Sequence, residues 1–131
     1  MNRPVHFEIH VENPERAMKF YKGLFGWDFQ KYGSPAFDYW LVTTGKDGTP
    51  GINGGMMRRM TKTAPKADTP VIAYVCTIDV ENIDKAMKAA EKAGAVQALP
   101  KNAIPTVGWT TYYKDPEGNV FGLYQVDKNA K

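Results

Sequence analysis

The chain has little of what would place it in a special class. It has one cysteine, Cys76, and so no internal disulfide. A reducing cytoplasm is the simplest compartment for such a chain. No apolar run approaches the ~20 residues that a membrane-spanning helix needs. Met1-Asn2-Arg3-Pro4 has no apolar segment behind its charge, so no secretory signal is expected. Charge of one sign is not in excess: 17 Lys and Arg against 14 Asp and Glu give +3. The basic residues are scattered, with Arg58-Arg59 the adjacent pair, a pattern that argues against nucleic acid as a partner. There is no glycine-rich phosphate loop opening a helix, no Gly-x-Ser-x-Gly and no Cys-x-x-Cys. Of the 131 residues, 43% are hydrophobic and 24% charged, which suits one globular domain or two small modules sharing a core.

What the chain does have is a repeat. Val11-Glu12-Asn13-Pro14-Glu15-Arg16-Ala17-Met18-Lys19 aligns with Val80-Glu81-Asn82-Ile83-Asp84-Lys85-Ala86-Met87-Lys88 at an offset of 69, with six of nine positions identical. A strand-like apolar run precedes each copy, and Gly26 or Gly94 follows each helical stretch. In the first half Pro4–Glu12 alternates as a strand does. Asn13 is a good N-cap, with Pro14 at the first helical position and Glu15 favoured by the helix dipole. Ala17, Phe20, Tyr21 and Leu24 make one apolar helix face. Residues 27–32, 37–44 and 51–57 then read as three strands. The second half follows suit, with strand 71–80, helix 82–93 and strands near 95–99, 108–114 and 119–126. Met60–Pro70 has no periodicity and reads as a linker. The expectation is therefore an α+β fold of two paired βαβββ modules, residues 1–59 and 71–131 joined by linker 60–70. Curled mixed sheets would surround a cup, with the helices outside.

The segment His6-Phe7-Glu8-Ile9-His10-Val11-Glu12-Asn13-Pro14-Glu15-Arg16-Ala17, followed by Phe20-Tyr21 and Leu24-Phe25-Gly26-Trp27, resembles the vicinal oxygen chelate superfamily. Asp115-Pro116-Glu117-Gly118-Asn119-Val120-Phe121-Gly122-Leu123 strengthens the resemblance. This superfamily holds glyoxalase I, bleomycin- and fosfomycin-resistance proteins and extradiol dioxygenases. The resemblance implies a paired βαβββ fold and a homodimer. In metal-dependent members it also implies four ligands, one on the first and one on the last strand of each module. Counted onto this chain, those positions are His6, Gly54, Val75 and Gly122. One imidazole, two glycines and a valine cannot hold a divalent cation, since catalytic sites use about three N, O or S ligands from the protein. No metal or other cofactor is expected.

Alternation sorts the strand faces. Phe7, Ile9 and Val11 belong under the helix, leaving His6, Glu8 and His10 to face the cup. Cys76 and Ile78 belong to the core, while Val75, Thr77 and Asp79 face inward. On the last strand Phe121 and Leu123 are core, and Val120, Gly122 and Tyr124 face inward. Gly54 and Met56 join them by symmetry, and Trp40 and Trp109 lie on strands of the cup wall. Such a lining, apolar with a few placed polar groups, suits a small molecule. His10, Trp40, Gly54, Met56, Val75, Thr77, Trp109, Gly122 and Tyr124 are the candidate ligand-binding residues. Glu8 and His6 are the candidate catalytic residues, because a carboxylate on a concave sheet face is costly to desolvate unless it is paired or used. Asp115–Gly118 reads as a hairpin turn, and Cys76 as an inert core thiol. The leading expectation is a metal-free binding protein for an apolar or aromatic small molecule, dimeric and cytoplasmic. The alternatives are a lyase, isomerase or dioxygenase acting through Glu8 and His6 on a small oxygenated substrate, or a fold retained for dimerisation alone.

Overall fold

The computed structural model describes all residues except 34–37, 62–73, 115 and 117–118. The expected linker 60–70 and the Asp115–Gly118 turn fall largely outside the described residues. The chain divides into two compact units, His6–Tyr74 and Met1–Val5 with Val75–Lys131. The elements are β1 (Pro4–Val11), α1 (Pro14–Phe25), β2 (Asp28–Tyr32), β3 (Tyr39–Thr43) and β4 (Gly54–Arg58), then β5 (Val75–Asp79), α2 (Ile83–Lys92), β6 (Val96–Ile104), β7 (Gly108–Lys114) and β8 (Val120–Val126). This is βαβββ twice, an α+β fold. Among the described residues no helix is long and apolar enough to cross a membrane.

Both helices start as their sequences dictate. The Asn13 side chain accepts the Arg16 N–H at 3.0 Å, and Asn82 accepts the Lys85 N–H at 2.9 Å. Each satisfies one of the N–H donors that a helix N-terminus leaves unpaired. Gly26 ends α1 in the left-handed region at φ 70°, its N–H donating to the Lys22 carbonyl.

In the first unit β1 runs parallel to β4, and β4 pairs antiparallel with β3 and β3 with β2. Phe7, Ile9, Val11, Val42 and Met56 form its buried core, packed with Ala17, Met18, Tyr21 and Trp27. In the second unit β5 runs parallel to β8, followed by antiparallel β7 and β6. Val80, Ile83, Tyr113 and Leu123 form its core, packed with Ala86, Met87 and Ala90. Each helix therefore covers one face of its own sheet.

The strand expected at 71–80 is observed as Val75–Asp79, with residues 71–73 of that expectation outside the described residues. Two further strands depart from expectation. β4 starts at Gly54 and not at Gly51, because the Asn53 side chain takes the Thr44 N–H at 2.9 Å and closes the loop first. β6 reaches Ile104, beyond the expected end near 99, with register shifts on either side of Leu99. Pro100 interrupts its alternation, as proline does in a strand at the end of a sheet.

Candidate functional site

The face of the first sheet opposite α1 is built around β1. The burial of Phe7, Ile9 and Val11 leaves His6, Glu8 and His10 together on this face. Glu8 sits level with Gly55 and His10 level with Met57 on β4. On β3, Leu41 lies level with Gly55 and Tyr39 with Met57, and Tyr32 of β2 lies level with Tyr39. Tyr39 and Tyr32 meet edge to face, with ring centroids 6.4 Å apart.

Two polar pairs occupy this face. His10 Nε2 donates to Glu8 Oε1 at 2.8 Å, with the Glu8 side chain only 11% exposed. His6 Nε2 and the Tyr39 hydroxyl share a hydrogen bond of 3.0 Å. Burial pulls the His6 pKa below its ordinary value, and the nearby Glu8 charge opposes that shift without reversing it. At neutral pH His6 is therefore an uncharged imidazole that can accept through one nitrogen and donate through the other. Glu8 and His10 supply a carboxylate-held imidazole beside it. The face can bind a polar group by hydrogen bonds and move a proton, against a wall made of Tyr32, Tyr39, Leu41 and Met57.

Gly55 makes the His6–Tyr39 contact possible. A Cβ at this position would collide with the Tyr39 hydroxyl and its ring carbons, so only glycine lets the tyrosine lie across β4 toward His6. Its neighbour Gly54 does a different job. It lies level with Phe7 on the α1 side, where a Cβ would meet the Phe7 carbonyl and ring. Gly54 therefore does not share the face of His6, Glu8 and His10. Met56 is likewise on the α1 side and fully buried in the core. Trp40 packs against that same core, with Lys31 Nζ 4.1 Å above its ring.

The second sheet shows the same sorting. Ile78 and Leu123 pack with α2, so Val75, Thr77, Asp79, Gly122 and Tyr124 take the opposite face, where Thr77 is level with Gly122 and Asp79 with Tyr124. Trp109 does not join them. It packs against the α2-side core, and its indole N–H donates to Asp127 at 2.9 Å. The Tyr124 hydroxyl donates to the Val107 carbonyl at 3.3 Å, and burial raises its pKa, with the Asp79 charge adding to the effect. Thr77 is 5% exposed, and its hydroxyl has no partner among the described residues. That oxygen and the Tyr112 ring converge on the space above Gly122, 2.6 and 3.0 Å from where a Cβ would stand. Cys76 is exposed and not a core thiol, since it lies outside the cluster that α2 covers.

The register also corrects the symmetry. Glu8 and Thr77 are equivalent at the offset of 69, and their neighbours on the last strands are Gly55 and Gly122. Gly55, and not Gly54, is the counterpart of Gly122.

The sequence model of the Glyoxalase/Bleomycin resistance protein/Dioxygenase superfamily matches residues 3–123. The chain belongs to this superfamily. No curated protein matches the chain by sequence. Among solved structures, a superfamily member from Vibrio splendidus 12B01 is similar at TM-score 0.64 and 16% identity, covering 94% of this chain and 97% of that one. Methylmalonyl-CoA epimerase from Mycobacterium tuberculosis is similar at TM-score 0.66 and 13% identity, covering 95% and 87%. Homoprotocatechuate 2,3-dioxygenase from Brevibacterium fuscum is similar at TM-score 0.64 and 15% identity, covering 98% of this chain and 37% of its own length. At these identities the likeness is one of fold.

Metal-dependent superfamily members imply a cation, and the residues here do not fit one. Gly54 and Gly122 bring no donor atoms, Val75 brings a hydrocarbon, and His6 is engaged by Tyr39. Among the described residues no three His, Cys, Asp or Glu side chains converge. Glu8 and His10 face each other as a pair, and no third His, Cys, Asp or Glu joins them into a metal-holding group among the described residues.

Proposed function

We propose that this superfamily member is a small-molecule binding protein that works without a metal, holding an apolar or aromatic ligand on the open face of the His6–Tyr74 sheet. One observation carries the reading. A carboxylate 11% exposed on a sheet face is held by an imidazole two residues along, next to a wall of Tyr32, Tyr39 and Leu41. An apolar wall with a few placed polar groups is what a small-molecule site requires. Tyr32 and Leu41 are 41% and 38% exposed, so the wall presents apolar surface to an incoming molecule. Glu8 accepts a hydrogen bond from the ligand, and neutral His6 offers its second ring nitrogen.

The same Glu8–His10 pair supports a second reading, an enzyme moving a proton on a small oxygenated substrate. A carboxylate that accepts from an imidazole orients the ring, as a general base needs.

Elemental analysis and native mass spectrometry of the purified protein test the first reading. The expected result is no stoichiometric transition metal, together with retention of an organic molecule that Glu8→Gln weakens. Zinc, nickel, iron or manganese near one per chain, lost on His6→Ala, would overturn it. If Glu8→Gln keeps the bound molecule but lowers the unfolding temperature, Glu8 is a structural residue. Chemical conversion of the bound molecule, abolished by His10→Gln, would establish the enzyme instead.

A further inference from the structure

The two imidazoles on the face of β1 have different partners, and the partner of His6 decides what a ligand must offer. His6 Nε2 and the Tyr39 hydroxyl are 3.0 Å apart. An uncharged imidazole has one N–H and one lone pair, so the direction of this bond fixes which nitrogen carries the proton. Relative acidity sets the direction. A phenol, with an ordinary pKa of about 10, gives up its proton more readily than an imidazole N–H does. An imidazole nitrogen, whose protonated form has a pKa of about 6.5, is a far better base than a phenol oxygen. The hydroxyl therefore donates to Nε2, and the ring proton stays on Nδ1.

The strand gives up a side chain to admit this hydroxyl. Glycine weakens a strand interior, yet a Cβ at position 55 would meet the Tyr39 hydroxyl oxygen before any other atom. Position 55 accommodates the polar end of the tyrosine and not its ring alone.

We propose that Tyr39 is a positioning residue that holds His6 as an Nδ1–H donor, so that the site takes an uncharged carboxamide edge on an apolar or aromatic body. This rests on the small-molecule reading of the same face. Glu8 supplies the other half. Its Oε1 takes the His10 bond, and its Oε2 has no partner among the described residues. Neighbouring positions on one face of a strand stand about 6.6 Å apart. Two hydrogen bonds of about 2.9 Å then reach the two ends of one planar group between them. A carboxamide places its N–H and C=O side by side, the N–H donating to Glu8 and the C=O accepting from His6. A carboxylate would set two anions together, a ketone has nothing to donate to Glu8, and an ammonium group cannot accept from His6.

Long-range proton–nitrogen NMR of the full chain labelled with 15N at histidine tests the role of Tyr39, with the His6 signals assigned by their loss in His6→Gln. The Nδ1–H form is expected to exceed the Nε2–H form, and Tyr39→Phe, which keeps the ring, lowers that ratio about fivefold, as loss of one hydrogen bond does. If Tyr39→Phe fails to fold, Gly55→Ala displaces the hydroxyl with the tyrosine retained and lowers the same ratio. A wild-type His6 in the Nε2–H form, or a ratio that neither variant moves, would overturn the role of Tyr39. Benzamide, benzoate and acetophenone, titrated into the same protein and followed at His6 Nδ1, test the ligand class. Benzamide is expected to bind at least about tenfold more tightly than either, since each of the others leaves Glu8 without a donor. Benzamide that binds no better than the other two, or that does not bind, would overturn the class. Failure of the small-molecule reading itself shows elsewhere, as purified protein that retains no organic molecule.

Discussion

Replacing Gly55 with alanine probes the site at its tightest point. The new methyl group would occupy the position of the Tyr39 hydroxyl, so Tyr39 must swing away from His6. Losing their hydrogen bond costs about 1 kcal/mol. Uncovering some 80 Å² of tyrosine ring at about 25 cal/mol per Å² costs roughly 2 kcal/mol more. Alanine returns about 0.5–1 kcal/mol by restricting the unfolded chain. The balance is a destabilisation of roughly 2 kcal/mol, or about 6–10 °C in unfolding temperature for a chain of this length. Urea unfolding followed by tryptophan fluorescence measures it. The decisive assay is the double-mutant cycle with Tyr39→Ala. Without the tyrosine the added methyl meets nothing it must displace, so Gly55→Ala becomes neutral or mildly stabilising. The cycle then shows a coupling of about 2–3 kcal/mol. If Gly55→Ala costs the same in both backgrounds, Tyr39 does not depend on this glycine, and the site as described is wrong.

Other outcomes follow from the same geometry. Because burial lowers the His6 pKa below 6.5, the unfolded chain binds the proton more tightly than the folded one, so stability falls as pH drops below 6.5 toward the lowered value. His6→Gln removes that part of the slope, and urea midpoints between pH 7.5 and 5 for the two proteins check it. Equal slopes would show that His6 titrates normally. Thr77→Val removes a buried hydroxyl that has no partner among the described residues and should stabilise the chain by about 1 kcal/mol. A loss of stability in chemical denaturation would instead reveal that the hydroxyl is bonded. Asn13→Ala should cost about 1 kcal/mol by removing the α1 cap, as should Asn82→Ala for α2. Thermal unfolding without either loss would contradict the assignment of the helix starts.

Much of this protein was legible before any coordinates. The offset of 69 announced two modules, because duplicated helix starts keep their caps and charges. Asn13 and Asn82 mark where the helices begin, since a side-chain oxygen must meet the first free amides. The strict alternation of Phe7, Ile9 and Val11 with His6, Glu8 and His10 sorted β1 without ambiguity, as polar and apolar neighbours cannot share a face cheaply. Tertiary structure decided what alternation could not encode. Gly54 and Gly55 have no side chains to sort, so only the pairing with β1 shows that Gly54 backs Phe7 and Gly55 makes room for Tyr39. Tyr39-Trp40-Leu41-Val42 is apolar throughout and carries no parity signal. Packing under α1 takes Trp40 and Val42 and leaves Tyr39 to reach His6. The Trp109 indole went to Asp127 for the same reason, because a long amphipathic ring settles where its N–H finds an acceptor. Hydropathy sets which face of an isolated strand turns inward, but register sets which side chains meet, and register is a property of two strands together.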